Sequence, residues 1–83
     1  MTEATADRLG MIEDHLALAD RHIATGEARI SRQEAAIVEQ ARRGRDTAAA
    51  TKVLHAMRRT LALMREHREI ILCERERKGQ AGG

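Results

Sequence analysis

The stretch VEQARRGRDTAAATKV, Val38 to Val53, decides the fold. Strong helix formers run up to Arg43 and resume at Thr47, and between them stand only Gly44, Arg45 and Asp46. A glycine placed just past a helix end supplies the left-handed residue that closes it, and an aspartate just before a helix caps its free N–H groups. Three residues are too few to carry the chain anywhere but back alongside itself, so the reading is an αα-hairpin. The expected elements are a first helix at about 5–43, a turn at 44–46 and a second helix at about 47–77. Residues 1–78 form one domain, and 79–83, GQAGG, form a disordered tail.

Working outward, Leu9, Leu16, Ile23, Ile30 and Ile37 recur every seven residues, an apolar line that specifies a long helix with a coiled-coil-like seam. The accompanying seam positions are Ile12, Ala19, Gly26, Gln33 and Gln40, small in the middle and then polar. One flank is acidic, with Glu13, Asp20, Glu27 and Glu34; the other carries Arg8, His15, His22 and Arg29. In the second helix Ala50, Leu54, Met57, Leu61, Met64 and Ile71 form a seam. Beside it runs a further line, Ala49, Val53, Ala56, Thr60, Leu63 and Ile70. Such a face is too wide for one partner helix.

Counting outward from the turn brings together residues whose numbers add to about 90. Glu27 is then expected beside Arg65 and Glu34 beside Arg58, with Gly26 near Leu61 and Ala19 near Arg68. The second helix is expected to run out near Lys78, opposite roughly Ile12, leaving Met1 to about Gly10 as an overhanging arm, frayed or separately helical.

Composition agrees with an all-α chain: its 83 residues include no Phe, Tyr, Trp or Pro. A two-helix unit of this size buries little surface, so a dimer forming a four-helix bundle is expected. The single cysteine, Cys73, excludes an internal disulfide and suits a reducing compartment. No apolar run approaches a membrane span, and the start MTEATADRLG lacks the pattern of a secretory signal, so the expected location is the cytoplasm. Net charge is +2, unevenly spread. Residues 1–41 hold four Arg against eight acids, and residues 42–83 hold eleven Lys or Arg against five.

Chemistry-bearing patterns are sparse. His15, His22 and His67 share a flank and, with an acid such as Glu66 or Glu74, could approach a metal set; they read as interface histidines rather than ligands. No Glu-x-x-His occurs, which disfavours a carboxylate-bridged di-iron site. Cys73 lacks an oriented base and any source of thiolate character, and no phosphate loop, nucleophile elbow or dinucleotide fingerprint is present. The expectation is therefore a non-enzymatic protein with no catalytic residue, cofactor or metal. Arg42, Arg43, Arg45, Lys52 and Arg59 are the candidate nucleic-acid contacts. The missing aromatics weigh against single-strand binding, which relies on stacking.

The stretches HLALADRHIATGEARISRQEAAIVEQARRG, 15–44, and GRDTAAATKVLHAMRRTLALMREHREII, 44–71, resemble a set of short helical-hairpin proteins of α-proteobacteria with no assigned activity. That resemblance implies a fold and no chemistry. In architecture alone the pattern is similar to the plasmid regulator Rop, a hairpin that pairs into a four-helix bundle and binds RNA; the aromatic on Rop's RNA-binding face has no counterpart here. The leading expectation is an interaction module. Leu54, Leu61, Met64 and Ile71 line the hairpin, while Val53, Leu63 and Ile70 face a twin copy. The alternatives are a small basic nucleic-acid-binding regulator and a module that captures a partner protein's helix on the apolar face of the second helix.

Overall fold

A computed structural model describes residues 3–81, with side chains described for residues 7–79. Two helices, α1 (Glu3–Arg42) and α2 (Ala48–Ala81), fold back on each other as an all-α antiparallel hairpin. The turn works as its residues dictate. Gly44 has φ of 73°, and the N–H of Gly44 donates to the Ala41 carbonyl at 3.0 Å while that of Arg45 donates to the Gln40 carbonyl at 3.0 Å. Those two bonds are the Schellman closure of α1, which satisfies carbonyls the helix leaves free. Across the turn the Asp46 carboxylate accepts from the Ala48 N–H at 3.0 Å, capping α2.

The seam divides into two buried clusters. Near the turn, Ile30, Leu54 and Leu61 are buried, with Ile23, Ile37, Met57 and Met64 packed against them. At the open end Ile12, Leu16, Ala19 and Ile71 are buried, joined by Leu72. Gly26 marks a close approach: a Cβ there would lie 3.3 Å from Leu61 Cδ1 and 3.8 Å from Met64 Sδ. Gln33, a polar seam residue, reaches across and donates from Nε2 to the Ala50 carbonyl at 3.0 Å. It therefore ties α1 to the first turn of α2.

Two expectations are corrected. Helix α2 does not stop near Arg77 but continues through Gly79 to Ala81, helped by the Glu74–Lys78 pair at 3.1 Å one turn apart. Of the tail, residues 79–81 are helical and 82–83 lie outside the described residues. Helix α1 likewise passes Gly10 unbroken back to Glu3, so residues 3–10 are not a separate arm; Met1 and Thr2 lie outside the described residues. Layers such as Gly26–Leu61 place the end of α2 level with about Asp7.

The result is a rod of 63 × 14 × 14 Å with a radius of gyration of 18.8 Å, against about 12 Å for a compact chain of this length.

Candidate functional site

A two-helix rod has two long faces, one on each side of its seam, and here they differ in chemistry. Along one runs a ladder of carboxylates and arginines. Glu34 meets Arg58 at 3.4 Å and Glu27 meets Arg65 at 3.6 Å, as the spacing predicts. Asp20 meets Arg68, and Glu13 meets Arg75 at 3.1 Å. The acids are seven residues apart throughout, but their partners step by seven, three and seven. The cause is in α2. Leu54-x-x-x-Arg58 and Leu61-x-x-x-Arg65 place leucine in the seam and arginine on the flank, whereas Arg68-x-x-x-Leu72 reverses the order in the same heptad slots. Leu72 then packs on the distal cluster from the flank, and Arg68 spans the seam edge to reach Asp20. Sequence counting found the first two pairs and missed the last two; the exchanged Leu and Arg was the available signal.

The other face carries five of the six exposed large aliphatics; the sixth, Val38, lies beside the acidic flank. Met11, Leu18, Val53, Leu63 and Ile70 are 43–65% exposed, and all five occupy heptad positions on this side. Val53, Leu63 and Ile70, the expected self-association residues, are thus unburied within a single chain. Two grooves run along this face. One, of about 280 Å³, is lined by Gly26, Arg29, Val53, Ala56, Met57, Thr60, Leu61 and Met64. The other, of about 380 Å³, is lined by His15, Leu18, Ala19, His22, His67, Ile70, Ile71 and Glu74. The structure therefore gathers the three flank histidines with Glu74; Glu66 sits in a shallow groove on the ladder side, with Asp20, Ile23, Arg65, Arg68 and Glu69. Among the described residues, no group of three or more His, Cys, Asp or Glu in one chain could hold a metal ion.

The basic residues separate. Lys52 and Arg59 line a wide surface groove of about 670 Å³ together with Arg58, a member of the same basic run that the sequence pairs with Glu34, and with His55, which the sequence reading did not include. Arg42, Arg43 and Arg45 are exposed around the turn and do not line it; Arg43 is held by Glu39 at 3.1 Å. Cys73 is exposed. Among the described residues no helix is long and apolar enough to cross a membrane.

Comparison with protein families, with curated proteins and with solved structures gives no match.

Proposed function

We propose that the chain is a non-enzymatic assembly module, whose grooved face packs on that of a second copy to complete a four-helix bundle. The observation that carries this reading is a rod with much exposed surface, on which five of the six exposed large aliphatics lie on one face. The lone chain exposes 6415 Å², whereas a compact monomer of its mass exposes about 5000 Å². The excess is of the order that a specific interface removes from water. The large aliphatics Met11, Leu18, Val53, Leu63 and Ile70 supply its apolar centre. On this reading the ladder face, whose charges are already paired across the helices, stays in water.

Leu63→Glu tests the proposal, since Leu63 is 65% exposed in one chain and its replacement leaves the hairpin seam untouched. Light scattering at micromolar concentration should give a dimer for the parent and a monomer for the variant. An unchanged dimer removes Leu63 from the interface, and a monomeric parent ends the reading.

A second reading rests on charge at the turn. Residues 40–60 carry six Lys or Arg against the single acid Asp46, and Lys52, His55, Arg58 and Arg59 converge on one groove. A polyanion such as duplex nucleic acid suits that surface, with affinity that falls steeply between low and moderate salt. Absence of binding at low salt removes this alternative.

A further inference from the structure

Two of the exposed aliphatics on the grooved face, Met11 and Val53, stand equally far from its middle. The midpoint of α1 lies between His22 and Ile23, and that of α2 between Met64 and Arg65. On this face Met11 lies toward the open end from the first midpoint and Val53 toward the turn from the second, each by about 17 Å. A second copy laid antiparallel across the face would set Met11 of one chain level with Val53 of the other. Charge favours the same orientation. The turn half, residues 21–60, holds nine cations and four acids, a balance of +5; residues 3–20 with 61–81 hold six cations and nine acids, a balance of −3. Antiparallel copies place each basic half against an acidic one. A 63 Å by 14 Å face offers about 900 Å² per copy, close to the usual share of a stable dimer interface.

Two histidines stand at the centre of this arrangement. His22 on α1 and His67 on α2 line the same groove, and both lie within about 4 Å of their helix midpoints along the rod. One chain thus offers two imidazoles, fewer than a metal requires. A two-fold axis through the midpoint turns two into four. We propose that His22 and His67 of two antiparallel copies hold one divalent transition cation, of the kind that takes four imidazole ligands, at the centre of the dimer. The inference rests on the assembly reading, and the site is incomplete without the second copy. His15 and Glu74 line the same groove farther toward the open end, outside the four-ligand set.

Sedimentation of the full chain, with Cys73 kept reduced, in Zn²⁺, Mg²⁺ or EDTA tests it. With free Zn²⁺ at about a hundred times its Kd, dimerisation tightens about a hundredfold over EDTA, and Mg²⁺ does nothing. Titration with Co²⁺ should saturate at one ion per two chains and give the intense visible absorption of a tetrahedral site. His22→Gln and His67→Gln each abolish the tightening, while His15→Gln and His55→Gln keep it; all four side chains are exposed, and far-UV dichroism in EDTA verifies the fold. A dimer equally tight in all three conditions overturns the metal site and leaves the assembly reading standing. A monomer throughout overturns both. Tightening that survives the His22→Gln/His67→Gln double variant overturns the ligand assignment.

Discussion

The half of the hairpin near the turn and the half toward the open end solve the same packing problem with opposite choices. Near the turn α2 puts Leu54 and Leu61 into the seam, and α1 answers with the small or polar Gly26 and Gln33. Toward the open end the bulk is on α1, as Ile12 and Leu16 beside Ala19, and α2 places Arg68 and Arg75 in the slots that held leucine. In each half a small, polar or flexible residue on one helix faces bulk on the other, beside layers where Ile30 and Ile71 keep apolar bulk on both helices. An arginine in a seam slot is tolerated because its stem covers apolar surface while its charged end reaches water and a carboxylate. Two unequal seams of this kind also discourage a slip in register, since bulk would then face bulk.

The largest expected effect comes from emptying the turn half. Leu61→Ala removes a buried side chain against Gly26, which cannot fill the gap, and should cost about 2–5 kcal/mol in urea unfolding. A loss near zero would mean that Leu61 does not anchor this cluster. The next experiment exchanges the halves directly. Leu72→Arg alone loses apolar packing on the distal cluster and should cost about 1–3 kcal/mol. Adding Arg68→Leu restores the order found at Leu61 and Arg65 and should recover most of that loss, with Asp20 turning to the new arginine; simple additivity of two losses would refute the exchange. Asp46→Ala removes the cap that starts α2 and should cost about 1 kcal/mol, read from the thermal midpoint. The ladder itself ranks last. Its arginine and carboxylate groups are 34–58% exposed, so Glu27→Gln and Asp20→Asn should each cost about 0–1 kcal/mol, less in high salt. Asp20→Asn should be the larger, because Arg68 is the least exposed member.

How much of this was legible in the sequence follows the same division. The seven-residue line from Leu9 to Ile37 and the Gly44–Asp46 punctuation are local signals, and they give the hairpin directly. Glu27–Arg65, Glu34–Arg58 and the Gly26–Leu61 approach follow from counting, because the heptad is regular there. Beyond Arg65 counting brings Arg68 level with Ala19, one residue from its partner Asp20, but the two ion pairs go unread because the seam slots there hold arginine. The extension of α2 to Ala81 was hidden by Gly79, which suggested an end. The grouping of His15, His22 and His67 followed from their common flank, whereas the Lys52–His55–Arg58–Arg59 groove needed the surface of α2 itself.

Between two right-handed helices, Gly44 is the residue whose φ is positive. Were the whole connection, Gly44 with the non-helical Arg45, Asp46 and Thr47, to take up helical torsions, α1 and α2 would merge into a straight shaft of about 120 Å, with every seam side chain stripped of its neighbour. Two such shafts laid head to tail could rebuild each layer between molecules, an exchanged pair with the same contacts and a different connectivity. A connection of a few residues, with Gly44 as its left-handed member, thus decides whether this polypeptide closes on itself or on its neighbour.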